Sequence, residues 1–393
     1  MHMDPIMPFA VGAILLILLI GTVLKLAHQP HVVAYLIAGM IIGPSGIAIV
    51  SDPELVGRLG AIGVVLLLFF VGMETDANKL IANWKLAILG TFLQILLSIF
   101  FVWLLALWFD WSLSRTILIG FVISLSSTAI VIKLLQDTGV LASKVGQGVL
   151  SILLAQDLAI IPMLIILGLL STGEVDGLHL LKQGIGALLA GALFVYIVSR
   201  KQVHLPLSSW LKEDRELQLF SALSICFGLA LITAWLDLST ALGAFIGGML
   251  IGAAKETQWV HHSLEPFKVL FIAVFFVSVG MLLDTDFLLE NWLEVSALTL
   301  IALLTNTFIN ALILKIAKFN WRDSLYAGVL LSQIGEFSFV LAAVGLQAAI
   351  INDYGYQLAL CVISLSLLVS PLWIMLGKMI IKPTVLLQST NKA

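Results

Sequence analysis

The chain has 393 residues, 61% of them hydrophobic and 11% charged, with a formal net charge of −3. An ordinary soluble domain carries roughly 25% charged residues, so this composition excludes a water-facing surface. With no long basic or acidic block, nothing suggests nucleic acid as a partner.

Apolar runs of about 17–25 residues recur along the chain, each able to cross a hydrocarbon core of about 30 Å as a helix. A bilayer admits only helices or closed barrels, and the short alternating segments of a barrel are missing. The expected class is therefore an all-α membrane protein. Thirteen transmembrane helices are predicted, near residues 6–26, 31–49, 58–74, 84–108, 115–136, 146–170, 179–199, 217–235, 239–254, 266–283, 292–314, 322–346 and 355–380. The first lacks a basic n-region and a small-residue cleavage site, so it reads as a retained helix. Cys226 and Cys361 lie in separate apolar spans and read as packing residues. His261 and His262 precede Glu265-Pro266-Phe267-Lys268 in what reads as a solvated or regulatory loop.

Orientation follows from the distribution of basic residues. With the N-terminus outside and the C-terminus inside, 17 Lys and Arg fall on the inner side, leaving Arg58, Arg115 and Lys182 outside. That asymmetry obeys the positive-inside rule.

Two stretches echo each other. Leu36 to Gly43 (LIAGMIIG) matches Phe245 to Gly252 (FIGGMLIG) at five of eight positions, at an offset of 209. The Gly72-Met73 pair after Phe69-Phe70 aligns with Gly280-Met281 after Phe275-Phe276 at an offset of 208. The chain is therefore expected to form one transporter domain, with repeats of about 31–170 and 239–380 linked by helices in 179–235. Equivalent spans are seven crossings apart, so the copies are inverted relative to each other, as in many secondary transporters.

A carboxylate at the bilayer centre costs at least about 2.5–3.5 kcal/mol on insertion scales and is a functional candidate by default. Asp157 lies mid-way along the sixth span beside Gln156, with Pro162 just beyond, where the proline weakens the helix and can free carbonyls. Glu336 lies in the twelfth span, within Ser332-Gln333-Ile334-Gly335-Glu336, where it can instead support a broken helix. At the 208 offset, Ser124 to Thr128 in the fifth span lands on Ser332 to Glu336. Discontinuous helices at matching positions of inverted repeats point to a midplane site. Ser126, Ser127, Thr128 and Gln156, with Asp157, supply hard oxygen donors suited to an alkali cation or a proton. The eleventh span carries Asn306 at its centre, and neither Lys nor Arg stands mid-membrane.

Gln156-Asp157, Ser126-Ser127-Thr128-Ala129, Gly335 to Phe339, Glu265 to Lys268 and Phe276 to Met281 together resemble the monovalent cation:proton antiporter-2 family, most closely its Kef-type potassium/proton branch. The resemblance covers essentially the whole chain. It implies a homodimer in the cell (inner) membrane, each protomer having a dimerisation part and a mobile core. In that core the fifth and twelfth spans form two crossed discontinuous helices and work as an elevator. Asp157 then carries a proton or a cation (K⁺ or Na⁺) in alternation, Gln156 replaces the Asp or Asn of related branches, and Ser332, Gln333, Glu336 and Asn306 support the helix crossing.

The sequence departs from the family pattern in three places. Kef proteins generally continue into a cytoplasmic nucleotide-binding domain that this chain does not contain. Asn306 stands where many members have Lys, and the segment near His261 is shorter than a glutathione-linked loop. The expected activity is exchange of K⁺ or Na⁺ for H⁺, with no cofactor. A gated monovalent cation channel and a sodium-coupled organic anion symporter are the rival readings. An enzyme is not expected, because no nucleophile, metal-ligand or nucleotide motif is present.

Overall fold

The computed structural model describes residues 6–26, 31–50, 53–74, 84–141, 143–170, 177–199, 215–254 and 258–384. The described chain is helical, in the order α1 (Ile6–Leu26), α2 (His31–Ile42), α3 (Pro53–Glu74), α4 (Trp84–Phe109), α5 (Leu113–Ser124), α6 (Thr128–Asp137), α7 (Lys144–Leu169), α8 (Gly177–Ser199), α9 (Arg215–Trp235), α10 (Thr240–Ala253), α11 (Gln258–Leu282), α12 (Thr285–Glu290), α13 (Trp292–Ile316), α14 (Trp321–Leu330), α15 (Phe337–Gln347) and α16 (Asp353–Ile381). Seven of these, α3, α4, α7, α8, α9, α13 and α16, are long and apolar enough to cross a membrane. Shorter apolar stretches lie in α1, α2, α5, α10, α11 and α15.

Polar residues in the connections start several of these helices. Ser112, Ser143, Asn320 and Asn352 each accept a hydrogen bond from a backbone N–H of the first turn of α5, α7, α14 and α16. Each satisfies a donor that the helix itself cannot. The outward faces of α1, α4, α8 and α9 present Leu18, Trp108, Leu188 and Leu231 almost bare, with Trp108 86% exposed. So continuous an apolar exterior suits hydrocarbon, not water.

The echoed glycines occupy two close helix approaches. A Cβ on Gly39 of α2 would run into the Val277 carbonyl and Gly280 Cα of α11. A Cβ on Gly248 of α10 would run into the Phe69 carbonyl of α3, and one on Gly72 into the Phe245 carbonyl of α10. Without lipid-excluding hydrophobic drive, such backbone proximity is what holds membrane helices together. Phe276 of α11 meets Phe339 of α15 edge-to-face at 6.0 Å, tying these helices to the core around Leu118, Leu125, Ile160 and Leu164.

Two boundaries differ from the sequence reading. The second span ends as a helix at Ile42, because Gly43-Pro44 follows and the residue before a proline disfavours the α-helix. The stretch holding His261 and His262 is helix rather than loop: Val260 and Leu264, one turn apart, are both buried, so α11 begins amphipathically at Gln258. The side chains of His261, His262, Glu265 and Pro266 lie outside the described residues. The spans 115–136 and 322–346 are each interrupted, at 125–127 between α5 and α6 and at 331–336 between α14 and α15. Both interruptions fall on the polar residues expected to break them.

Candidate functional site

Each interruption leaves helix-terminal backbone groups that must find partners inside an apolar interior. The two interruptions supply them to each other. Ser126 and Ile334 pair as an isolated antiparallel bridge, and the Gly335 N–H donates to the Leu125 carbonyl at 2.8 Å. Gly335 allows this approach, since a Cβ there would sit 2.6 Å from the Ser126 carbonyl. The Ser126 hydroxyl donates to the Leu331 carbonyl at 2.7 Å, and the Ser338 hydroxyl donates to the Val122 carbonyl at 2.6 Å.

Side-chain amides from neighbouring helices complete the junction. Asn306 of α13 donates through Nδ2 to the carbonyls of Ile123, at 2.6 Å, and Ser332, at 3.1 Å. On the α4 side, Gln94 Nε2 donates to the Ser124 carbonyl at 2.8 Å. Gln156 of α7 accepts from the Ser126 N–H through Oε1 at 3.1 Å, while its Nε2 donates to Gln94 Oε1 at 2.6 Å and to the Ser124 carbonyl at 3.2 Å. The Ile334 N–H donates to the Ser366 hydroxyl oxygen at 3.3 Å. Gln94, Ser366 and Ser338 are contributors that the sequence reading did not select. Gln94 stood out as a lone amide in a 26-residue apolar helix, whereas the two serines had no signal beyond their type.

Asp157 lies one residue beyond this network. The Thr128 hydroxyl donates to its carboxylate, 3.0 Å from Oδ1 and 3.2 Å from Oδ2. Thr128 is the first residue of α6, so the carboxylate stands by the N-terminus of a half-length helix, where the peptide dipole favours negative charge. Asp157 is partly exposed, unlike Gln156, which is buried. The structure thus brings Asp157, Gln156, Ser126 and Thr128 together, with Ser332 and Asn306 across the junction.

Ser127, Gln333 and Glu336 stand differently. Ser127 is buried at the break, within hydrogen-bonding reach of Glu336. Glu336 occupies the N-cap position of α15 and makes no side-chain capping bond among the described residues, and Lys268 of α11 is within its electrostatic reach. Gln333 is fully buried, and neither its amide nitrogen nor its oxygen has a hydrogen-bond partner among the described residues.

The sequence description of the sodium/hydrogen exchanger transmembrane region matches residues 12–376, nearly the whole chain. The chain belongs to the sodium/hydrogen exchanger family. The chain is 36% identical to the iron transporter MagA of Paramagnetospirillum magneticum over 94% of its own length and 85% of that protein. It is 34% identical to the K(+) efflux antiporter 5 of Arabidopsis thaliana over 90% of its length and 63% of that protein. It is 31% identical to the glutathione-regulated potassium-efflux protein KefC of Shigella sonnei over 87% of its length and 55% of that protein. The chain thus spans little more than half of the longer efflux proteins it matches. Its fold matches that of the sodium proton antiporter MjNhaP1 from Methanocaldococcus jannaschii, with a TM-score of 0.67 at 17% identity over 96% of this chain and 98% of that one. The Kef-type kinship expected from Gln156-Asp157 and the broken-helix motifs agrees with the K(+) efflux antiporter 5 and KefC among these relatives.

Proposed function

We propose that the protein is a secondary antiporter that exchanges K⁺ or Na⁺ for H⁺ at Asp157 by an elevator form of alternating access. The observation that carries this reading is the Thr128–Asp157 contact beside the junction of the two interruptions. One partly exposed carboxylate by a half-helix N-terminus gives a proton and a cation a common site, which obligatory exchange requires. The surrounding donors are hydroxyl, amide and carbonyl oxygens, the set that suits a hard monovalent ion. The names of the K(+) efflux antiporter 5 and KefC support potassium as cargo. The MagA name raises iron, but among the described residues no group of three or more His, Cys, Asp or Glu side chains gathers to hold such an ion.

The α5–α6 and α14–α15 pairs each act as one discontinuous crossing helix, which with the other spans makes thirteen crossings. Inverted repeats over about 31–170 and 239–380 are supported by the spacing of the contacts: the Gly39–Gly280 approach has its counterpart in Gly72–Gly248. The protein sits in the cell membrane as a homodimer with its N-terminus outside and its C-terminus in the cytoplasm, on the strength of the resemblance and the basic-residue asymmetry.

The test is reconstitution into liposomes with a pH gradient. Addition of K⁺, Na⁺, Rb⁺ or Li⁺ in turn should dissipate the gradient with at least one of the first two. A conductive leak with a cation reversal potential and no proton coupling would instead establish a channel.

A further inference from the structure

Away from Asp157, an apolar cavity of about 120 Å³ opens between α4, α5, α13, α15 and α16. Its lining includes Ile123, Leu298, Thr305, Ile334, Ala359 and Val362, so its wall reaches the break residue Ile334. Two of its wall residues, Phe101 of α4 and Ile301 of α13, are 43% and 46% exposed, which opens it sideways toward the exterior. An apolar void of this order stays dry and takes up apolar guests, as an engineered cavity of about 150 Å³ does with benzene.

One end of the cavity is polar. Trp111 and Arg115 line both the apolar cavity and an adjoining pocket at the α4–α5 and α15–α16 connections. The Arg115 guanidinium lies 4.5 Å from the Trp111 ring, and its buried Nε makes no hydrogen bond among the described residues. Asp110 and Asp353 line the adjoining pocket but not the apolar cavity. Glu294 stands nearby through its bond from the Tyr354 hydroxyl at 2.6 Å, and Arg115 is within electrostatic reach of Tyr354. A cation at the neck with carboxylates farther out is complementary to a headgroup whose phosphate lies nearer its acyl chains than its ammonium does.

We propose that this cavity takes up the terminal segment of one acyl chain of a membrane phospholipid, the rest of the chain lying along the exposed Phe101–Ile301 side, with the phosphate on Arg115 and a primary ammonium toward Asp110 and Asp353. The exposed Phe101–Ile301 side admits the chain from the bilayer, and the terminal methylenes pack against Ile334 and Ile123. The bound chain thereby props the wall of the helix junction. The site is distinct from Asp157 and does not depend on the transported ion.

A phosphatidylethanolamine with a diazirine in one acyl chain tests this on the full-length protein in liposomes. Photolysis should label peptides carrying Ile123, Thr305 and Ala359, and the same tail on phosphatidylcholine or phosphatidylglycerol should label them less. Arg115→Gln should reduce this labelling about tenfold, the scale of one lost charge-assisted contact. Asp110→Asn tolerates the left-handed backbone at this position (φ 49°) and should remove the preference for phosphatidylethanolamine over phosphatidylcholine. Ala359→Phe, which fills the cavity, should abolish the labelling while leaving elution volume and detergent Tm unchanged. Should Ala359→Phe fail to fold, Arg115→Gln and Asp110→Asn still decide. Equal labelling by all three lipids, labelling unchanged in Arg115→Gln, labelling confined to the outward face of α1, or labelling by a diazirine fatty acid alone would each overturn the proposal.

Discussion

Ser126 and Ile334 lie 208 residues apart and pair backbone to backbone, the offset that also separates Gly72 from Gly280. The same correspondence runs through their supports. The Ser124 carbonyl accepts from Gln94 and Gln156, and the carbonyl of Ser332, 208 residues later, accepts from Asn306. The Ser126 N–H finds Gln156, and the Ile334 N–H finds Ser366. Backbone positions at that offset thus meet the same needs with different side chains, and Asp157 stands beside one of those partners, Gln156.

Asp157 and Thr128 give the first prediction. Asp157→Asn keeps shape but removes the titratable group, so cation-dependent proton movement in proteoliposomes should fall to background while the protein elutes and melts as before. Thr128→Val removes the hydroxyl that donates to both carboxylate oxygens. It should raise the cation concentration for half-maximal exchange by about tenfold, the scale of a hydrogen bond to a charged group, while Thr128→Ser restores it. Undiminished exchange in Asp157→Asn refutes the assignment.

Gln156 gives the second. Its oxygen already receives the Ser126 N–H and its nitrogen donates twice, so it holds the junction as well as standing next to Asp157. Gln156→Glu turns the donor into an oxygen facing Gln94 Oε1 and the Ser124 carbonyl. Thermal melts should show a loss of about 1–3 kcal/mol, the cost of unpaired buried groups, with the pH profile of exchange displaced. A variant with wild-type melting and an unchanged profile would reduce Gln156 to a packing residue.

Asn306 gives the third. Asn306→Leu keeps volume but leaves the Ile123 and Ser332 carbonyls without their amide donor. The expected result is a destabilisation of about 1–3 kcal/mol, read as a lowered Tm. Asn306→Gln, which retains the donor, should recover part of it. A Tm equal to wild type for Asn306→Leu would mean that the junction stands without α13.

The fourth concerns charge movement. With Asn306 as the polar centre of α13, no second titrating base stands there, and one cation for one proton moves no net charge. Exchange should therefore be insensitive to an imposed potential, which acts on an uncompensated charge by about 2.3 kcal/mol per 100 mV. Solid-supported-membrane recordings check this: a transport current under a cation gradient that vanishes in Asp157→Asn would establish electrogenic exchange, with Glu336 or Lys268 the groups to examine next.

The sequence by itself determined the membrane class, the helical spans and the places where two of them break. Hydrophobicity over about 20 residues is a local property, and so is the effect of Ser126-Ser127-Thr128 or Gln333-Ile334-Gly335 in interrupting it. It also singled out Asp157, because the price of a mid-membrane carboxylate is set by its own span. What only the tertiary structure decided was partnership. That Gln94 accepts from Gln156, that Asn306 donates to the carbonyls of Ile123 at the end of α5 and Ser332 in the second interruption, and that Ser366 accepts from the Ile334 N–H depend on which helices lie side by side. The helical start of α11 was hidden for the same reason: the buried positions of Val260 and Leu264 exist only once α3 and α9 pack against them. The cavity at Arg115 has no signature in the sequence, because five helices surround it and none of them records the space left between them.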